Sequence, residues 1–256
     1  KNIWIQPAAG DAGGALGAAL AIWHEYLGNA RSAAAATSST GDFMRGSYLG
    51  PWFSADGIGE YLNSIKAPHK KLDDEEFFAE LSDVLAIEKV VGWFQGRMEF
   101  GPTALGARSI LGDPRDPTMQ RRMNLKIKFR ESFRPFAPAV LAEHAADYFD
   151  VAGDSPYMLV TAQVRDEHRI ALSPEDAKKT GIELLNVKRS TLPAITHVDG
   201  SARLQTVTRD ANAPFHDLLA AFHRRTGCPV LVNTSFNVRG EPIVCTPREA
   251  YTCFMR

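Results

Sequence analysis

Residues 229–242 read PVLVNTSFNVRGEP: a short, wholly apolar run that passes directly into a turn of hydroxyl and amide side chains. An unbroken apolar run of this length is the pattern of a strand covered on both faces. A polar turn straight after such a strand is a usual place for a ligand in an open α/β sheet. Working outward, residues 214–226 carry an amphipathic helical pattern and residues 204–208 a strand. Further strands are predicted at 89–94, 136–141 and 157–165, with helices at 54–65, 73–87 and 116–126. Downstream, Thr246-Pro-Arg-Glu249 has the form of a capping box with proline at the first helical position. Strands and helices alternate, which predicts an α/β fold with a mixed sheet and flanking helices. The charged, unpatterned segment 166–188 reads as a surface insertion, and 191–203 as a loop carrying His197, Asp199 and Arg203.

The second informative stretch is GRMEFGPTALGARSILGDPRDPTMQRRMNLKIKFRESFRPFAP, residues 96–138. It concentrates Arg97, Arg108, Arg115, Arg121, Arg122, Lys126, Lys128, Arg130 and Arg134 in a chain whose net charge is only -1. Glycines and prolines break the segment into turns. Cations on a kinked, glycine-rich backbone suit a phosphate-bearing ligand, because main-chain N–H groups approach closely and guanidinium forks grip phosphate oxygens in pairs. Composition alone fits a basic surface patch equally well.

The 256 residues are 45% hydrophobic and 23% charged, a soluble globular composition. A pI near 6.7 is unlike that of a nucleic-acid coat, and no apolar run reaches the length of a membrane span. Cys228, Cys245 and Cys253 have neither paired number nor C-x-x-C spacing, so a reducing cytoplasm is expected, without disulfides. The chain opens on Lys1 and stops inside a helical pattern, as a piece of a longer protein would. Residues 2–6 alternate like a short strand, and a small-residue helix is predicted from 13 to 27. Asp11, just before that helix, reads as an N-cap carboxylate or as a site at a helix N-terminus. Residues 29–46 lack periodicity and are the expected domain boundary.

Among candidate chemistries, no Walker A, G-x-G-x-x-G or H-E-x-x-H motif is present. What remains is the pairing of Lys128-Phe-Arg130-Glu-Ser-Phe-Arg134 with Asn233-Thr-Ser235-Phe-Asn237, and Arg203 between them. Such groups would orient a polyphosphate or acyl phosphate by position and charge.

The strings GRMEFGP-x-ALGARSILGDPR, KFRESFRPFAPAV, LPAITHVDGSARLQTV and LVNTSFNVRGEPIVCTPREAY resemble the carbamoyltransferases of the nodulation-protein-U and antibiotic O-carbamoyltransferase type. The opening QPAAGDAGGALGAAL resembles the end of that family's first, sugar-kinase/actin-like domain. The resemblance implies that residues 1–44 are a remnant of that domain and its linker, and that 45–256 form a domain similar to the YrdC fold, with a twisted mixed sheet. It implies carbamoyl adenylate formation from ATP, with Mg2+, and carbamoyl phosphate, followed by transfer to a small-molecule hydroxyl acceptor. Lys128/Arg130 and Ser235/Asn237 match the Lys-x-Arg and Ser-x-Asn signature of YrdC-type adenylate synthases. Arg134 and Arg203 match positions lining the donor site, with Arg97, Gly101, Thr103, Arg108, His197 and Asn233 as further binding candidates, of which Arg97 and Arg108 would shape the glycine-rich loop. Asp11 matches an aspartate of the first domain's iron or other divalent-metal site, whose histidine partners would lie upstream. One departure stands out: Gly101-Pro-Thr103-Ala-Leu-Gly106 carries threonine where the family usually has arginine. Loss of that charge-assisted contact would cost about 1.5–3 kcal/mol, unless a neighbour such as Arg97 or Arg108 compensates. The alternatives are a nucleotide- or RNA-binding module without chemistry, or a degenerate scaffold. No membrane partner and no broad nucleic-acid contact are expected, and a homodimer is left open.

Overall fold

The computed structural model describes residues 5–31 and 43–256. Two helices precede the sheet beyond an N-terminal one: α1 (Asp11–Ala21), which continues into a π-helical turn at Ile22–Tyr26, α2 (Ala55–Ser64) and α3 (Asp74–Ala86). Ser54 and Asp73 cap α2 and α3 by accepting from the N–H of Gly57 and Glu76. Then follow β1 (Val91–Phe94), β2 (Arg108–Gly112), α4 (Met119–Lys126), β3 (Ala137–Leu141), α5 (Ala145–Tyr148), β4 (Phe149–Asp150) and β5 (Val160–Val164). The chain closes with α6 (Gly181–Leu185), β6 (Ser201–Val207), α7 (Ala213–Thr226), β7 (Val230–Ser235) and α8 (Pro247–Phe254). The capping box at Thr246 and Glu249 is formed.

The strands make one sheet of seven in the order β1-β2-β7-β3-β6-β5-β4. β3 and β6 are parallel, and the other neighbouring pairs are antiparallel. The expected α/β class with a mixed sheet is therefore observed. The apolar run 229–233 supplies β7, between β2 and β3, with Val230, Leu231 and Val232 fully buried. On one face Trp93, paired with Ser109, packs against the rings of Phe77 on α3 and Phe215 on α7. On the other, a Cβ at Gly112 would meet the sulfur of Met119 at 2.9 Å, so α4 lies there. Helices thus cover both faces, as the unbroken apolar pattern of β7 requires.

Several expectations shift. β2 was not foreseen, because RSILG is short and sits between glycine- and proline-rich turns. The helix predicted from 116 starts at Met119, since the Asp116 carboxylate turns back to accept from the Thr118 N–H at 2.7 Å. β5 begins at Val160 rather than 157, following Met158 with its positive φ of 55°. β6 begins at Ser201, because Asp199 accepts from the Ser201 N–H and hydroxyl and closes the preceding turn. Arg203 is therefore a strand residue, not a loop residue. Segment 166–188 is mostly exposed and contains α6. Asp11 is the first helical residue of α1, with Gly10 at the N-cap and no side-chain cap bond, so it is not the N-cap carboxylate. The strand expected at 2–6 and the boundary at 29–46 fall largely outside the described residues.

Candidate functional site

The loop between β1 and β2 is built before any ligand needs it. Glu99, 4% exposed, accepts through Oε1 from the N–H groups of Leu105 and Ala107, both at 2.7 Å, and of Arg108 at 3.3 Å. The Gly106 carbonyl accepts from Trp93 Nε1, Gln95 Nε2 and Asn212 Nδ2. Gly106 has φ +102°, and a Cβ there would lie 2.1 Å from the Phe215 ring, so only glycine fits. Gly101, at φ +104°, is pressed in the same way against Ala8.

The basic run of residues 96–134 separates into unlike groups. Arg115 and Arg122 are neutralised by the buried carboxylates of Asp113 and Asp116. Arg134 pairs with Glu131 at 3.2 Å on the surface. Arg97 is exposed and donates to the Gly50 carbonyl. Arg108 has no exposed surface. It lies over the Phe94 ring and donates to the carbonyls of Gln95, Gly96, Ala107, Pro51 and Cys245. Arg108, expected to shape the glycine-rich loop and also a binding candidate, thus joins that loop through its two terminal nitrogens to Pro51 and to Cys245 before α8.

Lys128 and Arg130 remain. Between them Phe129 adopts φ +46°, a left-handed conformation that a bulky residue rarely takes, and the two cations part company there. Lys128, 5% exposed, reaches across to the turn after β7. Its Nζ donates to the Ser235 carbonyl, to Ser235 Oγ at 3.3 Å, and to the Asn237 carbonyl and Oδ1 at 3.0 and 2.7 Å. The Ser235 hydroxyl donates to Asn237 Oδ1 at 2.8 Å, and Asn237 Nδ2 donates to the Glu241 carbonyl. Burial first, and Arg130 second, push the Lys128 ammonium down to about 7. Arg130 is held by Asn124, whose Oδ1 accepts from its Nε at 2.6 Å, and by the face of Phe136. Burial and then Arg134 weaken the guanidinium's hold on its proton.

Beside this pair lies a cleft of about 360 Å³ whose lining includes Thr103, Ala104, Arg130, Arg203, Asn233 and Ser235. The Arg203 side chain has no hydrogen bond or ion pair among the described residues, and the N–H groups of Thr103 and Ala104 have no acceptor there. Five sequence-predicted residues thus share one cleft, with Lys128 and Asn237 bonded to its Ser235. Arg97, Gly101, Arg108, Arg134 and His197 are not in its lining. His197 bonds through its N–H to the Ser201 carbonyl, and burial, followed by the countering pull of Asp199, leaves its imidazole more readily neutral than usual. Asp11 is exposed on α1, and among the described residues no group of three or more His, Cys, Asp or Glu could hold a metal. No helix among the described residues is long and apolar enough to cross a membrane.

Sequence reasoning missed Glu99, Asn124 and Gln205, which touch the candidate residues from below. Glu99 had a signal, as the lone acid among residues 96–108.

The model of the carbamoyltransferase C-terminus matches residues 82–256, which includes every element of this site. The chain belongs to the carbamoyltransferase family. An uncharacterized protein of Synechocystis sp. is 60% identical over all of this chain and 41% of its own length. The nodulation protein NolNO of Sinorhizobium fredii is 39% identical over all of the chain and 34% of its own. The 3'-hydroxymethylcephem-O-carbamoyltransferase of Amycolatopsis lactamdurans is 34% identical over 95% of the chain and 39% of its own. The chain therefore spans well under half the length of these relatives.

Proposed function

We propose that this part of the protein forms carbamoyl adenylate from carbamoyl phosphate and ATP, for transfer to a hydroxyl acceptor by the whole enzyme. The observation that carries this reading is the direct bonding of Lys128 to Ser235 and Asn237 at the edge of a cleft that also contains Arg130 and Arg203. Arg130, Arg203 and the Thr103 and Ala104 N–H groups would receive phosphate oxygens, which suits a reaction driven by position and charge. Ser235 would orient the group next to the α-phosphate, and Asn237 would hold Ser235 and Lys128 in register. ATP fits this donor set of cations and N–H groups. Balance requires one water: carbamoyl phosphate, ATP and water give carbamoyl adenylate, phosphate and pyrophosphate. Pyrophosphate release by the complete protein that requires both substrates tests the reading, and its absence would refute it.

The low affinity of Lys128 for its proton gives a pH prediction. In the free protein the amine is mostly neutral above about pH 7, whereas a bound polyphosphate favours the ammonium. Polyphosphate binding should take up close to one proton at pH 8, and affinity should fall as pH rises through 7. Calorimetry in two buffers of different ionisation enthalpy reads the uptake, which Lys128→Ala should abolish. For the fold the dependence is opposite: between about 7 and the ordinary lysine value the unfolded chain binds more protons, so this residue's contribution to stability rises with pH.

Thr103 lines the same cleft as Arg130 and Arg203. Thr103→Arg should lower the KM for carbamoyl phosphate by about tenfold or more, the equivalent of one charge-assisted contact. An unchanged KM would mean that the donor phosphate does not sit at position 103.

A further inference from the structure

The segment that carries Arg130 has a second face. Arg130 lines the cleft described above, whereas Ser132 and Phe133 line another, of about 260 Å³, between the start of α4 and segment 185–193. The two linings share no residue. Hydrogen bonds from α4 fix this partition. Asn124 Nδ2 donates to the carbonyls of Ser132 and Arg134 at 3.2 and 2.8 Å, while its Oδ1 accepts from Arg130 Nε. Gln120 Nε2 donates to the Arg134 carbonyl at 3.1 Å.

Arg121, Lys188 and Arg189 line this second cleft, and no carboxylate does. Among the described residues none of the three forms an ion pair, and only Arg189 has a side-chain hydrogen bond, from Nη2 to the Leu184 carbonyl. Burial loosens the Arg189 guanidinium's hold on its proton, with no carboxylate opposing it. The cleft of about 270 Å³ beside β5 is the contrast: it holds its own counterions, pairing Arg165 with Glu167 and Arg169 with Asp166. One cleft is neutral within itself; the other is left cationic. Thr118, at the N-cap of α4, also lines the cationic cleft and caps no N–H, because its hydroxyl donates to Asp116. Part of the remaining lining is apolar, with Phe133 48% exposed beside Leu185 and Val187. We infer that this cleft binds a small organic phosphate, its dianion held by Arg121, Lys188 and Arg189 and its apolar body laid against Phe133 and Val187. A dianionic phosphate accepts several donors at once and suits guanidinium forks. Inorganic phosphate would meet the cations but leave the apolar lining in water. The inference does not depend on the adenylation reading.

The test is calorimetric binding of phenyl phosphate and of inorganic phosphate to the complete protein, with and without saturating ATP. Phenyl phosphate should bind about tenfold more tightly than inorganic phosphate, and ATP should not displace it. Arg121→Gln combined with Lys188→Gln should weaken phenyl phosphate by at least about tenfold. Phe133→Ser should reduce the preference over inorganic phosphate to about twofold or less. Arg121 and Lys188 are exposed, so the double variant should keep its fold, which thermal melting checks. Should it melt early, Lys188→Gln alone decides, with an expected loss of at least about threefold. Undetectable binding of phenyl phosphate overturns the inference, as does binding that survives these substitutions. Displacement by ATP also overturns it, since the probe would then sit in the cleft of Arg130 and Arg203.

Discussion

Lys128→Ala lowers pyrophosphate release by at least about a hundredfold, the scale of removing one preorganised electrostatic contact from a transition state. The expectation follows from how much of the site converges on Nζ. Ser235 and Asn237 both bond to it, the Ser235 hydroxyl is turned by the same Asn237 oxygen, and Arg239 ties the turn to the Phe129 carbonyl at 3.2 Å. Removing the amine takes away a charge and the piece that holds hydroxyl and amide in place. Lys128→Arg should not rescue, because a planar fork cannot fit where a compact ammonium meets four acceptors. Steady-state assays on variants of verified fold check this. Activity within about threefold of wild type would remove Lys128 from the chemistry.

Arg108→Met has the largest expected effect on stability. The guanidinium is completely buried and serves five main-chain carbonyls from three separate segments, and Met would leave each without that donor. Breaking a buried, hydrogen-bonded charge costs about 3–5 kcal/mol. At about 2–4 °C per kcal/mol for a chain of this size, the melting temperature should fall by about 10 °C. A fall of under about 2 °C would show that the loop and the turn after β7 do not depend on Arg108. The two variants separate the roles of two neighbouring cations. One should lose activity and keep the fold; the other should lose stability first.

Composition and spacing do not show that division, since Arg108 and Lys128 are two cations of one run; it came with the resemblance. Whether a cation serves a ligand or the fold depends on which carboxylates and carbonyls the folded chain brings to it. Asp113 and Asp116 lie close in sequence to Arg115 and Arg122, so those pairs had a local signal. The carbonyl of Cys245, far along the chain, gave none for Arg108. The fold class was legible, because the buried run at 229–233, the capping box at Thr246 and the acidic first turn of α3 are local patterns with one structural meaning. β2 was hidden because five residues between turns carry too little periodicity. The convergence of Lys128 on Ser235 and Asn237 came from matching motifs by resemblance, since no spacing rule joins residues a hundred positions apart.

The central claim is that Lys128, Arg130, Arg203 and Ser235 form a site for carbamoyl adenylate. The most direct measurement is mass-spectrometric detection of that compound, with pyrophosphate quantified, after incubating the complete protein with ATP and carbamoyl phosphate without acceptor. The account predicts carbamoyl adenylate and pyrophosphate in equal amounts, only when both substrates are present, and neither with Lys128→Ala. Carbamoyl transfer to an acceptor with no adenylate formed and no ATP consumed would contradict it.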